Sequence, residues 1–395
     1  SASLVGSEMC IRDRNIIKEK LNVNLRENVS AILHYEKYDS MPIVSFGYWA
    51  ETLQKWADEG HISKKEAIGY ARYGDNSKAD KSIMAKLGFD FNWNSCFETN
   101  YGLLPSFKPK ILQENSDGSY VMRDEQGLIV LKKDGITSIP SEIGTTLTDR
   151  AVWEKEYLPK LQWLNKRVDT RKLKKIKNKS EREIPVGLHC GSLAGYMRNL
   201  LGFEQFCYLY SDDEELFGEI ADTLSSVCYN CTKTALESGA EFDYAHFWED
   251  ICFKNGPMIS PQVFNAYFGK HYKRISDLLN SYGIDIISVD CDGLIDALLP
   301  IWLENGVNTM FPIEVGTWNA SLAPWREKYG KVIRGVGGMN KNVFALDYVA
   351  VEHELERLKP LIELGGYIPC PDHRIAPDAK FENVQYYCEG LRKIS

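Results

Sequence analysis

No apolar run in this 395-residue chain reaches the roughly eighteen residues that a membrane helix needs, so no membrane partner is expected. Basic charge is also short. Lys and Arg number 47 against 55 Asp and Glu, which leaves a net charge of −8 and a pI near 5.6. That balance argues against a nucleic-acid partner, which would call for a basic patch or stripe. The lysines at Lys172, Lys174, Lys175, Lys177 and Lys179 are read as a solvated loop or helix end. No G-x-G-x-x-G follows the first expected strand, so the dinucleotide-binding signature is missing. No secretory signal is read either. The ten cysteines stand singly, apart from Cys228 and Cys231, spaced C-Y-N-C in a helical context. Reduced thiols and a cytoplasmic location are the expectation.

What is present is ordinary for a globular protein. Hydrophobic residues make up 44% and charged residues 26%, and a chain of this size can bury a large core. Residues 1–14, SASLVGSEMCIRDR, are read as a non-native or disordered tail. Residues 15–395 are read as a single domain. A helix is expected from Asn15 to His34, then a first strand over Met41 to Trp49, then helices over Glu51 to Trp56, Lys64 to Arg72 and Met84 to Asp90. Residues Lys108 to Ile139 hold three short β-like runs with Asp-Gly and Gln-Gly turns, a small β-meander insertion that flanks or lids the main site. One helix is expected over Thr146 to Trp163. From Ile184 onward strands and helices alternate. The strands are Ile184 to His189, Phe242 to Trp248, Ile284 to Val289, Val307 to Ile313, Val332 to Gly338 and Gly366 to Pro369. With Met41 to Trp49 and one near Phe89 to Trp93, they make a parallel (β/α)8 TIM barrel of the α/β class. A doubly wound open sheet is the alternative.

In a barrel the chemistry sits where the strands end. Here the strand ends are polar. The first offers Phe46, Tyr48 and Trp49, and the next after Pro185 offers His189. Then come His246, Glu249 and Asp250, then Asp290, Cys291 and Asp292, then Glu314, and last Cys370, Asp372 and His373. Asp290 and Asp292 are two apart on one strand tip, so they share a face. Carboxylates set side by side are costly unless something compensates them. His373 suits general acid–base work near neutral pH. Bland readings stand beside these. His246 is read equally as a hydrogen-bonded barrel histidine, Glu249 as an ion-pair partner of Lys254 or Arg334, and Cys291 as a small buried side chain.

Several stretches then recur in a recognisable order. They are W-E-D (Trp248 to Asp250), K-N-G-P-M-I-S-P (Lys254 to Pro261), D-C-D-G (Asp290 to Gly293), E-N-G-V-N (Glu304 to Asn308) and P-I-E-V (Pro312 to Val315). G-G-M-N-K (Gly337 to Lys341), G-G-Y-I-P-C-P-D-H-R-I-A-P-D (Gly365 to Asp378) and F-E-N (Phe381 to Asn383) complete them. Together they resemble the uroporphyrinogen decarboxylase superfamily. The resemblance implies a (β/α)8 barrel with a deep cleft at the strand C-termini, and dimers are common in that superfamily. It also implies one of two chemistries: decarboxylation of a porphyrinogen, or methyl transfer among small methylated compounds, corrinoid proteins and thiols, usually with zinc.

The chain departs from both patterns. The decarboxylases carry M-R-Q-A-G-R-Y after the first strand, where this chain reads F-G-Y-W-A-E-T without arginine. The methyltransferases carry H-x-C and a late cysteine, where this chain has Asp290, Asp292 and His373. That set is one for zinc or another divalent metal with carboxylate ligands, or for a cationic or polar substrate. The expected catalytic residues are Asp290, Asp292, His373, Glu249 and Asp250. The expected substrate-binding residues are Trp49, His246, Glu314, Arg198 and Arg334. The expected activity is a methyltransferase-like one on a small methylated substrate, with a corrinoid protein as partner. A decarboxylase, with Arg198, Arg334 and Arg374 as its cations, is the second reading, and a non-catalytic ligand-binding barrel the third.

Overall fold

The protein is described from a computed structural model that covers residues 23–133, 140–176 and 178–394. The expected tail, the first part of the expected Asn15 to His34 helix and the end of the expected meander lie outside these residues. What remains of that helix runs Leu25–Leu33, and Asn24 starts it with a capping box closed by Glu27.

Strand order decides between the two expected architectures. Seven parallel strands are hydrogen-bonded in chain order: Cys96–Phe97, Gly187–Gly191, Tyr244–Trp248, Ile287–Asp290, Thr309–Phe311, Arg334–Met339 and Tyr367–Pro371. A doubly wound sheet reverses its order at a switch point, and this one does not. Phe91–Asn92 runs on into Cys96–Phe97 as one interrupted strand, and its parallel partner Val44–Ser45 fills the eighth position. Backbone bonds from Ile375 to Gly47 and from Trp49 to Ile375 tie the first strand to the chain just after the last. The result is a (β/α)8 barrel.

The helices between the strands follow their local signals. Ser260 caps the helix that Pro261 begins, and Gly88 ends Lys78–Leu87 in the left-handed conformation. Two expected helices are shorter or more broken than their periodicity implies. Leu294 to Asn305 becomes Leu299–Glu304, because Pro300 favours the first turn of a helix over its interior. Thr146 to Trp163 breaks into Arg150–Val152, a π-turn Trp153–Tyr157 and a 3-10 turn Leu158–Lys160 that holds Pro159. Among the described residues no helix is long and apolar enough to cross a membrane.

The meander has four strands rather than three: Lys110–Glu114, Ser119–Arg123, Leu128–Lys133 and Ser141–Thr145. The fourth, S-E-I-G-T, lacks the β-branched and aromatic alternation that marks a strand by itself. Its contacts with the barrel hold it. Thr145 donates to Leu200 O at 2.7 Å, and Glu142 accepts from the Phe203 amide at 2.5 Å.

The barrel interior is packed with rings. Trp93 stacks on Tyr244 at 4.3 Å, Phe311 meets Phe46 at 4.4 Å, and His246 lies 5.9 Å from Phe311 and 5.8 Å from His189. Trp93 and Phe311 are fully buried. Rings of this kind bury large areas and leave no pore. These rings form the floor of the mouth above them.

One charge lies buried outside that mouth. Asp80, in the first turn of Lys78–Leu87, has no exposed surface and accepts from the Asn76 amide at 2.8 Å. Burial pushes its carboxyl up to about 7. A carboxyl raised in the fold costs nothing below about pH 4, where it is protonated folded and unfolded alike. The cost grows as pH rises toward about 7 and is complete above it. Asp80→Asn, which keeps an acceptor for Asn76, is expected to gain about 2–4 kcal/mol over wild type between pH 4 and pH 8. Urea unfolding at the two pH values measures this.

Candidate active site

The carboxylates at the strand ends fall into two groups. Members of the first are tied to backbone amides and bind one loop to the next. Glu249, which follows Tyr244–Trp248, is fully buried. It accepts from the Leu193 amide at 2.9 Å, the Gly195 amide at 2.7 Å and the Tyr272 hydroxyl at 2.5 Å. It thereby holds the start of the helix Ala194–Leu201, where amides are unpaired and the dipole favours an anion. Gly195 is needed there, since a Cβ would stand 1.9 Å from the Glu249 carbonyl oxygen. Burial still pushes Glu249 up to about 7, against those donors. Asp372, after Tyr367–Pro371, accepts from Val315 and Gly316 at 2.9 and 2.7 Å and from the Lys341 amide at 3.1 Å. Glu314 accepts from the Gly293 amide at 2.7 Å and from the Trp318 indole. Burial and the charge of Asp292 raise its carboxyl.

The second group faces the mouth. Asp290 closes the strand Ile287–Asp290 and is 6% exposed. Burial first, then the charges of Asp292 and Asp250, push its carboxyl well above the usual range. Asp292 Oδ2 lies 3.3 Å from His373 Nε2. The His373 ring stacks on Trp49 at 5.6 Å and lies 5.6 Å from Phe46. Asp250 adopts a left-handed φ of 46° and pairs with Arg198 at 3.1 Å. Burial raises the Asp250 carboxyl, and Arg198 opposes that rise. Trp49, Asp250, Asp290, Asp292 and His373 thus share one mouth, with Glu314 at its edge.

Other expected site residues lie elsewhere. Arg334 opens its strand instead of closing it, so it sits at the N-terminal face of the barrel. There it donates to Leu33 O at 2.5 Å and lies over the Tyr35 ring at 5.6 Å. His246 is 2% exposed and sits within the ring-packed interior. Its Nδ1 is 2.7 Å from the Ser288 hydroxyl, and burial pushes it far below the ordinary histidine value, which keeps it neutral. Glu249 is a loop anchor. Arg374 pairs with Asp75 at 2.7 Å and donates to the Tyr70 hydroxyl at 2.8 Å. That Asp75–Tyr70 anchor lay outside the expected site, because Asp75 follows a helix and carries no strand-end signal. Gly47 admits the anchor: its φ is 85°, and a Cβ would fall within 2.7 Å of Tyr70, Arg374 and Asp75.

The expected zinc or other divalent ion on Asp290, Asp292 and His373 does not fit this geometry. Among the described residues no group of three His, Cys, Asp or Glu side chains could hold a metal ion. The His373 ring lies flat on Trp49 and directs Nε2 to Asp292, so that nitrogen is already engaged.

With this geometry in place, the comparisons are informative. Residues 158–394 match the family model described as uroporphyrinogen decarboxylase (URO-D). A methyltransferase from Methanosarcina mazei has a similar fold, with a TM-score of 0.57 at 14% identity over 94% of this chain and 99% of that one. A B12-independent methionine synthase from a Shewanella species gives a TM-score of 0.46 at 12% identity over 90% of this chain and 98% of that one. No curated protein matches the chain in sequence.

Glu249→Ala is expected to strip the Leu193 and Gly195 amides of their acceptor and lower stability by about 2–4 kcal/mol. Urea unfolding at pH 8 measures the loss. An unchanged midpoint would show that the loop holds without this anchor.

Proposed function

This chain belongs to the uroporphyrinogen decarboxylase family, and from that premise we propose that it is a methyltransferase-like enzyme. Its substrate is a small methylated compound held in the mouth at the C-terminal ends of the barrel strands. The observation that carries this reading is the state of the arginines. A porphyrinogen brings many carboxylates and needs free cations to meet them. Arg198 is paired with Asp250, Arg374 with Asp75, and Arg334 lies at the opposite face. The residues that line the mouth are mostly acids and aromatic rings.

In this reading the methyl group leaves its heteroatom without the bonding electrons and bonds to an acceptor nucleophile. The acceptor is a thiol or the reduced corrinoid of a partner protein. A thiol must lose its proton as the new S–C bond forms. The Asp292–His373 pair takes that proton, with Asp292 orienting the imidazole. Trp49 holds His373 in place by stacking. Asp250 and Arg198 fix the neighbouring loop. A homodimer is part of the same proposal.

The test is turnover of a panel of methylated amines, ethers and thioethers with a thiol or a corrinoid protein as acceptor. Methyl transfer is expected from at least one donor, and His373→Ala should lower kcat with a thiol by about 10²-fold or more. Release of carbon dioxide from uroporphyrinogen would overturn the proposal in favour of a decarboxylase. If no donor reacts and His373→Ala alters only ligand affinity, the chain is a binding barrel.

A further inference from the structure

We propose that the mouth takes a protonated, N-methylated amine, with its N–H groups on Asp290 and Asp292 and its methyl groups against Trp49. This deepens the methyl-transfer reading and rests on it for the choice of an N-methyl compound.

Three observations converge. The first is charge. Asp250, Asp292 and Glu314 all lie within electrostatic reach of Asp290. Of the nearby cations, Arg198 is committed to Asp250 and Arg374 to Asp75. Like charges held this close are unfavourable until a cation joins them. The second is unmet hydrogen bonding. Asp290 is 94% buried, being 6% exposed, and no described residue donates to its carboxyl. It shares a strand face with Ser288, whose hydroxyl bonds His246 inside the barrel, so its side chain points to the interior axis at the mouth. Asp292 Oδ1 is also buried without a partner, while Oδ2 faces His373 at 3.3 Å. An acceptor buried without a partner, as Asp292 Oδ1 is, is costly, and a ligand that brings N–H donors satisfies it and also meets the unpaired Asp290 carboxyl. The third is the wall. Trp49 and Phe46 flank His373, each at 5.6 Å. Aromatic faces attract alkylammonium groups, and their apolar surface accepts methyls.

The combination selects among cations. A metal ion is poorly served by the aromatic wall. A quaternary ammonium has methyls but no N–H for the two unpaired acceptors. A secondary ammonium has two N–H bonds and two methyls, one set for each side of the mouth.

Isothermal titration of the full chain, without an acceptor, tests this with dimethylammonium, tetramethylammonium and isopropanol as probes. Dimethylammonium should bind saturably and at least about tenfold more tightly than either of the others. Its affinity should fall with added salt. Asp290→Asn and Asp292→Asn, each checked for an unchanged unfolding midpoint, should each weaken it by about tenfold or more. Absence of dimethylammonium binding overturns the inference, and so does equal binding of isopropanol. Equal binding of tetramethylammonium overturns the assignment of N–H donors to the two aspartates. Because no acceptor is present, the outcome is separable from turnover. Transfer from neutral ethers or thioethers without amine binding leaves the methyltransferase reading standing and sinks this one. Amine binding without any transfer does the reverse.

Discussion

The crowding of carboxyl groups around one barrel mouth is the constraint from which the rest of the site follows. Every barrel strand from Tyr244–Trp248 onward, except Arg334–Met339, ends in an acid or meets one within three residues: Glu249 and Asp250, Asp290 and Asp292, Glu314, Asp372. So many anions cannot share a small volume unless each finds compensation. Three find it in peptide amides. Glu249 holds Leu193 and Gly195, Glu314 holds Gly293, and Asp372 holds Val315, Gly316 and Lys341. Each clamp joins the loop after one strand to a loop after another. The acids therefore stitch the rim of the barrel together, and the rim in turn fixes Asp250, Asp290 and Asp292. Structure and site use the same residue type, told apart only by what each carboxyl touches.

The interior imposes a second condition from below. The barrel is filled by Trp93, Tyr244, Phe311, Phe46 and the two histidines His189 and His246. Asp290 consequently lies at the boundary between a ring-packed core and a wet mouth. Its burial follows from that position, as does its distance from any donor of the barrel itself. A groove of about 840 Å³ runs beside the rim, lined by Ile143, Arg198, Phe203, Tyr208, Phe253 and others. Arg198 borders both spaces, since it lines the groove and pairs with Asp250 at the mouth.

Much of the fold was legible because each strand is a short apolar run closed by a polar residue, and each helix between them carries caps. Ser260 with Pro261, and Gly88, place their helix ends directly. What was hidden has physical reasons. Ser141–Thr145 is a strand through its pairing with Leu128–Lys133, and Thr145 and Glu142 hold it to the Leu200 carbonyl and the Phe203 amide, a tertiary cause with no local pattern. The same holds for the Asp75 anchor of Arg374. Arg334 was misplaced because a strand looks alike from either end until its direction relative to the mouth is known. Glu249 and Asp250 are neighbours in sequence, yet one is a loop anchor and the other faces the mouth. The left-handed φ of Asp250 turns the chain between them, and nothing in W-E-D announces that turn.

The D-x-D tip of the strand Ile287–Asp290 therefore means something narrower than two carboxylates at the end of an apolar run. Asp292 is oriented by His373, which is itself braced by Trp49. Asp290 is held in place with nothing in the described chain to bond. A protein could satisfy such a group cheaply, for example with an asparagine or with a nearby serine. An acid kept unpaired at the focus of several others, beside a half-buried indole, is costly to stability in the empty protein. That cost is offset only when something carrying positive charge and hydrogen-bond donors arrives. The strand tip is thus legible as one half of an interaction whose other half is the substrate.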